Sequence, residues 1–300
     1  MPDGLSFVRN FCNIVTFCGN PGGLVSRLFT GLPQKGVCMW IGLLGTLVVK
    51  INGVELRVAA SKQRTVLATL AVRPGRVVPA DLIAESVWGA CPPASWQVTL
   101  RNYIARLRTL LGPDAAGRLV TRGSGYLLRA SSAEVDLLAF EDGCRAGHAA
   151  KAARDWPEAS VELASALDLW RGTPFADVSS QLLHDTYLPY LTETRLAAVA
   201  ARVEAELHQV PCRASSLVPE LQRLCSDHPL HERFRAQLML ALYRSGRQAE
   251  ALGAYLSARQ VFVGELGIEP GNELVSLHQR ILRSDPALQL PSRAAAGTAA

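Results

Sequence analysis

Two hairpin signals enclose three short helical segments within residues 39–132, and this order limits the fold more than any other feature of the sequence. Residues 40–51 are rich in β-branched side chains, and the Asn-Gly pair at 52–53 marks a tight turn before residues 54–58. A second turn, Gly-Ser-Gly at 123–125, separates two further apolar runs. Hairpins on both sides of three helices predict a helix-turn-helix domain with a β wing.

Periodicity and stop signals place the three helices. The first begins at Ser61, whose hydroxyl we expect to cap it, and ends before Pro74. The second covers residues 80–88 and is followed by Gly89. The third covers residues 95–111 and stops where a Gly-Pro pair follows.

The third helix carries the pattern expected of a DNA recognition helix. Its apolar residues recur at helical spacing and predict one buried stripe. The opposite face combines small, polar and cationic side chains, which suit a helix that lies deep in a major groove. The stripe consists of Leu100, Tyr103, Ile104, Leu107, Leu110 and Leu111. The expected DNA contacts are Gln97, Val98, Arg101, Asn102, Ala105, Arg106, Arg108 and Thr109.

The predicted wing adds further candidate contacts. Its Gly-Ser-Gly tip is small enough to approach a DNA backbone closely, and arginines occur on both of its strands. An ordinary surface hairpin is the alternative that these residues alone leave open. The candidate contacts of the wing are Arg118, Thr121, Arg122, Ser124 and Tyr126, and Lys62 and Arg64 are further candidates for contact with the DNA backbone.

Charge is divided unevenly along the chain. Residues 39–133 hold 12 Lys and Arg against 4 Asp and Glu, a net charge of +8, whereas residues 134–300 carry a net charge of −5. This asymmetry is typical of a nucleic-acid-binding domain joined to a protein-interaction domain. On a lone surface helix, basic residues often serve only to solvate the helix. Here the charge favours DNA binding, because the predicted winged fold would direct these residues towards the duplex.

Residues 135–283 read as helices separated by short turns. Small and apolar residues at the spacing i, i+4, i+7 occur at Ala159, Leu163 and Ala166, and the pattern returns 92 residues later. That interval is close to three tetratricopeptide periods of about 34 residues. We expect residues 212–218 to interrupt the array. A plain helical bundle with close alanine packing is the alternative. The second set is Ala251, Tyr255 and Ala258.

The sequence lacks the common motifs of catalysis and metal binding. It contains no G-x-G-x-x-G, G-x-x-x-x-G-K-[ST], G-x-S-x-G or H-E-x-x-H, and its seven cysteines form no C-x-x-C pair. We expect His228 and His231, at a helix start, to be solvated or to cap the helix. No apolar stretch reaches the ~18 residues of a membrane span. We therefore expect no enzyme activity, no cofactor, no metal and no membrane association, with a cytoplasmic location.

Ordered stretches along the chain resemble a known family. The first set resembles the OmpR-type winged-helix domain, and the second resembles the bacterial transcriptional activator domain. Together they are similar to the Streptomyces antibiotic regulatory proteins, the AfsR/DnrI/RedD group. The first set is IGLLGTLVV at 41–49, SKQRTVLATL at 61–70, VWG at 87–89, YIARLRTLLG at 103–112 and LVTRGSGYLL at 119–128. The second set is LDLWRGTPFADV at 167–178, HPLHERFRAQLMLALYRSGRQAEAL at 228–252 and ELGIEPGNELVSLHQRIL at 265–282.

The resemblance implies a mostly α fold in two domains. An N-terminal winged helix-turn-helix domain, α+β and OmpR-like, is expected at residues 39–132. An all-α, tetratricopeptide-like transcriptional activator domain is expected at residues 133–284. Residues 1–38 have no counterpart in the family, so we expect a poorly ordered extension and regard Met39 as a candidate start. Residues 285–300 are expected to form a disordered tail.

The resemblance also implies a function. Family members activate secondary-metabolite gene clusters such as those for antibiotics, bind promoter direct repeats as side-by-side protomers and help recruit RNA polymerase. The expected partners are therefore double-stranded DNA, RNA polymerase holoenzyme and a second copy of the chain on DNA, without ATP. The loop residues that correspond to the polymerase-facing segment are Gly89, Cys91, Pro92 and Pro93. A protein-interaction scaffold with a winged domain that does not bind DNA, or a repressor with the same DNA contacts, is the alternative.

Overall fold

The computed structural model describes residues 37–209 and 213–289, which form two compact units. The first unit comprises the described residues up to Leu138 together with Arg171–Asp185, and the second contains the remainder. None of the helices in this part of the chain combines the length and hydropathy that crossing a bilayer requires. The mostly α fold class, with a winged region before a helical region, is confirmed.

The first unit is built around two antiparallel sheets and three helices. Its strands are β1 (Met39–Gly42), β2 (Val48–Ile51), β3 (Val54–Leu56), β4 (Val78–Pro79), β5 (Leu119–Arg122) and β6 (Gly125–Leu128). Its helices are α1 (Ser61–Ala71), α2 (Ala80–Trp88) and α3 (Trp96–Ala116). One sheet has the order β1-β2-β3, and the other has the order β4-β6-β5. The β5–β6 hairpin and its short partner β4 form the predicted wing.

The β-branched run at residues 40–51 does not form one continuous strand, because a turn separates β1 from β2. The backbone amides of Leu43 and Leu44 donate to the carboxylate of Asp136, at 2.6 and 3.1 Å. These amides are therefore satisfied by a side chain instead of by a strand ladder. The Asn-Gly turn at 52–53 is confirmed, with both residues at positive φ.

The helix ends follow the predicted stop signals more closely than the predicted cap. Ser61 is the first residue of α1 instead of its cap, and Ala60 takes the N-cap position without a side-chain hydrogen bond. Gly89 ends α2 at a φ of 65°. Gly112, with φ 76° and ψ 172°, kinks α3 where we expected it to stop, and one further turn follows. Glycine suits both positions because it adopts positive φ without steric cost.

Residues 171–185 belong to the first unit, although they lie inside the predicted activator domain. The backbone of this segment pairs with the turn after β1. Arg171 N donates to Leu44 O at 2.8 Å, and Phe175 N donates to Leu43 O at 2.9 Å. The side chain of Phe175 is completely buried. The first unit is thus assembled from two separate stretches of sequence, and the division at residues 132 and 133 stays a prediction.

The second unit is helical. Gly143 and Gly147 pack against Ala166 and Leu163, where an added Cβ would lie 2.9 Å and 2.5 Å from the nearest side-chain atoms. All six small and apolar residues of the predicted repeat pattern are buried. Close packing through small residues is therefore confirmed between the helix that contains Gly143 and Gly147 and the helix that contains Leu163 and Ala166. The helices are α4 (Asp136–Ala152), α5 (Trp156–Leu167), α6 (Gln181–His208), α7 (Ala214–Asp227), α8 (Glu232–Arg244), α9 (Gln248–Leu266) and α10 (Asn272–Leu282), of which α4 and α6 begin with residues of the first unit.

The expected interruption at residues 212–218 is wrong over most of its length. Ala214 begins α7, and Leu217, Val218 and Leu221 are buried on one face of that helix. This amphipathic spacing outweighs the polar residues that suggested a break. Cys212 lies outside the described residues.

The predicted disordered tail begins too early. Pro286–Leu288 form a turn of 3₁₀ helix, and Leu288 is 4% exposed. Its carbonyl accepts a hydrogen bond from Arg244 Nε at 2.8 Å, so a buried contact and a polar one hold this segment. Residues 290–300, and residues 1–36 of the predicted N-terminal extension, lie outside the described residues.

Candidate nucleic-acid interface

The structure divides α3 into a buried and an exposed face, as its sequence predicts. Leu100, Ile104, Leu107 and Leu111 are at most 3% exposed, and Tyr103 and Leu110 are half-buried. Val98 is 54% exposed at the centre of the outer face. The other exposed residues on this helix that we expected to contact DNA are Gln97, Arg101, Asn102, Ala105, Arg106 and Thr109.

Two arginines of this face carry unneutralised charge. Arg101 Nε donates to Gln97 O one turn earlier, at 3.3 Å, and no ion pair within the described residues includes Arg101 or Arg106. Exposed guanidinium groups without a carboxylate partner create a local positive potential. A polyanion that approaches this face therefore meets fixed cationic charge.

Arg108 is engaged within the first unit. Its Nε donates to Leu119 O at 2.9 Å, and its Nη2 donates to Thr121 Oγ1 at 2.9 Å. Both acceptors belong to β5, so the planar guanidinium braces the wing against α3. Its direct contact with DNA stays a prediction, beside this indirect role of positioning the wing.

The wing presents some of its candidate residues and buries another. Arg122 and Ser124 are exposed beside Gly123, which has a φ of 52°. Tyr126 is only 8% exposed, because β6 is the central strand of its sheet. Little of the Tyr126 side chain is therefore exposed to a DNA backbone, and its DNA contact stays a prediction.

The base of the wing is neutralised within the chain. Arg118 Nη1 lies 2.6 Å from Glu134 Oε1, and its other terminal nitrogen donates to Val37 O. Arg118 is thus engaged in an ion pair and a backbone contact, unlike the exposed Arg122. We no longer expect it to supply free charge to a DNA backbone.

The two α1 candidates also have partners. Lys62 Nζ lies 5.3 Å from the ring centre of Trp88, which stacks on Tyr103 at 6.1 Å, yet Lys62 remains exposed. Arg64 Nε lies 3.2 Å from a carboxylate oxygen of Asp177 and donates to that residue's carbonyl. Arg64 therefore holds residues 171–185 within the first unit. The sequence does not reveal this role, because the partner lies 113 positions away.

The loop between α2 and α3 is exposed over its whole length. The four residues in this loop that we expected to face polymerase are all solvent-accessible, namely Gly89, Cys91, Pro92 and Pro93. A run of prolines and small residues offers backbone and shape to a partner without charge of its own. Sequence reasoning overlooked Arg57, an exposed cation just before α1, whose only signal was its place in the basic half.

Thiols lie at the surface of the described residues, whereas clusters of three or more metal ligands do not. Among the described residues, no group of three or more His, Cys, Asp or Glu side chains is placed to hold a metal ion. Cys144 is buried, and burial raises the pKa of its thiol to about 11. Cys38 and Cys91 are exposed.

Comparison with known proteins identifies the family. The model of the C-terminal domain of transcriptional regulatory proteins matches residues 56–128, and that of the bacterial transcriptional activator domain matches residues 135–282. Regulatory protein DnrI of Streptomyces peucetius is 38% identical over 258 residues, which cover 83% of this chain and 94% of DnrI. The chain belongs to the family of Streptomyces antibiotic regulatory proteins. It is a DNA-binding transcriptional regulator.

Two further relatives extend the comparison. Regulatory protein AfsR of Streptomyces coelicolor is 40% identical over 272 residues, which cover 90% of this chain but only 27% of AfsR. The structure of Mycobacterium tuberculosis EmbR in complex with a low-affinity phosphopeptide superposes with a TM-score of 0.78 at 35% identity. That match covers 83% of this chain and 66% of the EmbR chain. The chain therefore spans nearly all of DnrI, about a quarter of AfsR and about two thirds of EmbR.

Proposed function

We propose that this regulator activates an antibiotic or other secondary-metabolite gene cluster by binding direct repeats in its promoters and recruiting RNA polymerase holoenzyme. The observation that carries the proposal is the outer face of α3. Arg101, Asn102 and Arg106 are exposed there, and neither arginine has a carboxylate partner among the described residues. Charge and hydrogen-bonding groups that the fold leaves unused are available to read and bind DNA.

The side chains suggest how sequence is read. Asn102 lies near the centre of the exposed face, where its amide matches the N6 and N7 edge of adenine. Arg101 and Arg106 lie on either side of it, within reach of guanine edges or phosphates. Because Arg108 fixes the wing against α3, the exposed Arg122 near its tip meets the neighbouring backbone without a separate ordering step.

The remaining partners follow from this mode of binding. Direct repeats place two protomers side by side in the same orientation, so we propose a homodimer that forms on DNA. The exposed loop at 89–94 then faces polymerase bound next to the repeats. In this role the chain acts on the bacterial nucleoid in the cytoplasm as a binding protein without catalysis.

Footprinting and transcription together test the proposal. Purified protein should protect both repeats in a promoter from the gene cluster next to its own gene, and should raise transcription by the holoenzyme from that promoter. Replacing Pro92 and Pro93 by Ala should leave the footprint intact and reduce the activation. Protection combined with lower transcription would indicate a repressor, and failure to protect any direct repeat would contradict DNA-directed function altogether.

A further inference from the structure

A shallow groove lies along the flank of α3 that faces α1. It has a volume of about 410 Å³ and is open to solvent. Small side chains form part of its wall, so its polar character comes from a few longer residues. The lining residues are Arg57, Ala59, Ala60, Gln63, Arg106, Thr109 and Leu110.

Two cations meet at this groove without an internal counter-charge. Arg57, in the loop between β3 and α1, and Arg106 of α3 are both exposed, and neither forms an ion pair within the part of the chain that the structure describes. No Asp or Glu lines the groove. Like charges brought together repel each other unless an anion lies between them.

Gln63 adds a hydrogen-bonding side chain at the same place. The residue as a whole is 9% exposed, and no other described residue hydrogen-bonds its side-chain amide. The amide is not among the fully buried unpartnered polar atoms of the described residues, so it reaches solvent at the groove and can donate to an external acceptor there. The uncapped start of α1 at Ser61 contributes further positive potential.

The position of the groove around α3 indicates which anion it meets. At about 100° per residue, Arg101 and Arg108 point to the wing side of the helix, and Arg106 and Leu110 point to the opposite side. Asn102 lies between the two flanks. A helix in a major groove has one sugar-phosphate backbone on each side of it. The wing therefore meets one DNA strand, and the groove faces the other.

We propose that Arg57 and Gln63 form a slot for a single backbone phosphate on the DNA strand opposite the wing, with Arg106 between this slot and the base edges. The slot rests on the proposed mode of DNA binding. A phosphodiester accepts hydrogen bonds from both the guanidinium and the amide, and it supplies the negative charge that the groove lacks. The contact fixes the register of α3 on the duplex and carries no base preference of its own.

The salt dependence of DNA binding by the full chain tests this slot. For Arg57→Ala, the slope of log affinity against log salt should become shallower by about 0.9, which corresponds to one phosphate contact. Specific and non-specific DNA should lose affinity equally. Gln63→Leu should weaken binding with little change in slope, because the amide carries no charge. Arg283→Ala, which removes an exposed arginine of the second unit, is the matched control and should change neither quantity.

A duplex with single methylphosphonate substitutions locates the contact. At one position on the strand opposite the wing, the substitution should weaken DNA binding by the wild-type protein. The same substitution should not weaken binding by Arg57→Ala any further, because that variant already lacks the charge pair that the substitution removes. If Arg57→Ala binds every duplex like the wild type while Arg106→Ala does not, the slot is wrong and the proposed function stands. If inorganic phosphate binds at Arg57 while Arg57→Ala keeps the wild-type affinity for DNA, the groove is a small-anion site and the backbone proposal is overturned. Absence of DNA binding by the wild type would instead remove the proposed function.

Discussion

Arginine serves two different purposes in the two units. In the second unit, Arg202 lies 2.6 Å from Glu206 and 2.5 Å from Glu220, and Glu204 is shared between Lys151 and Arg233. On the outer face of the first unit, Arg101 and Arg106 of α3 and Arg122 of the wing tip are exposed and have no carboxylate partner in the described chain. The same side chain stabilises a fold where its counter-charge is internal, and it becomes a binding group where the counter-charge must come from outside.

The comparison also holds within the first unit. Arg64, Arg118 and Arg171 each pair with a carboxylate, and each ties a distant part of the sequence to its sheets or helices. The side chains of these three residues are 21–31% accessible, whereas the α3 residues Arg101 and Arg106 are exposed and unpaired. Pairing and burial therefore separate structural arginines from functional ones better than position in the basic half of the sequence does.

The largest effect is expected where an internal pair is broken. Asp136 is completely buried, accepts from two backbone amides and pairs with Arg171 at 3.0 Å. Asp136→Ala should lower the free energy of unfolding by about 3–5 kcal/mol, since a cation and two amides lose their partner. Urea denaturation measures this effect.

A matched variant sharpens that test. Asp142 forms an exposed pair with Arg145, in which both side chains are at least 45% accessible. Asp142→Ala should change the free energy of unfolding by less than about 0.5 kcal/mol. Similar losses for the two aspartates would break the distinction between internal and external charge.

A functional arginine should show the reverse behaviour. Arg106→Ala should weaken binding to a direct repeat by about 1–3 kcal/mol and relax the preference at one base pair, if the contact is bidentate. Its melting temperature should match that of the wild type, because no ion pair in the described residues is lost. Titrations with matched and single-base-changed duplexes measure the preference, and a variant that melts early would place Arg106 in the structural group.

Arg108 tests the intermediate case of a residue that acts through another element. Arg108→Ala should lower the free energy of unfolding by about 1 kcal/mol, because two modest hydrogen bonds to β5 are lost. Binding should weaken through the loosened wing, while the base preference stays the same. Arg108→Lys should not restore the wild type, since an ammonium lacks the planar fork that reaches both acceptors. A changed base preference would show a direct DNA contact instead.

The smallest effect concerns pH and the second unit. Burial lowers the pKa of His148, His231 and His278, so the folded chain protonates these rings less readily than the unfolded chain does. The unfolded chain takes up protons below about pH 6.5. The stabilising contribution is therefore present above that pH and is lost as the pH falls below it, through the lowered pKa values of the folded chain. Unfolding measured across this range should show stability decreasing with acidity.

One histidine allows the source of this pH dependence to be checked. His231 is the N-cap of α8, and its ring nitrogen accepts from Phe234 N at 3.4 Å. This contact confirms the capping role expected for it. His231→Asn keeps a good capping group that does not titrate, so it should flatten the pH dependence. An unchanged slope would assign the effect to the other two rings.

The sequence predicts those features that depend on neighbours within a few residues. The buried stripe from Leu100 to Leu111, the stop at Gly89 and the break in helical geometry at Gly112 follow from local periodicity and backbone preference, although α3 resumes for one turn after Gly112. The burial of Tyr126 could not be predicted, since nothing in a hairpin sequence indicates that β6 gains β4 as a second neighbour. Burial of a strand residue depends on sheet order, which is a property of the whole unit.

Long-range electrostatic partners were the other features beyond sequence reasoning. Asp136 and Leu43 are 93 positions apart, and Asp177 and Leu47 are 130 positions apart. Neither carboxylate stands in a local pattern that marks it as an acceptor for a turn. Arg64 and Arg118 were expected to contact DNA because the sequence does not show whether a basic residue has a carboxylate partner far along the chain.

The discontinuous make-up of the first unit limits how hybrid regulators are engineered. A donor piece taken from residues 39–132 lacks both Asp136 and Phe175. Asp136 accepts hydrogen bonds from the backbone amides of the turn after β1, and Phe175 is buried beside that turn. Grafting a new DNA specificity onto a relative therefore requires either the transfer of residues 133–138 and 171–185 as well, or the exchange of only the outer α3 and wing-tip positions. The second route disturbs no buried contact and is the shorter path to a retargeted activator.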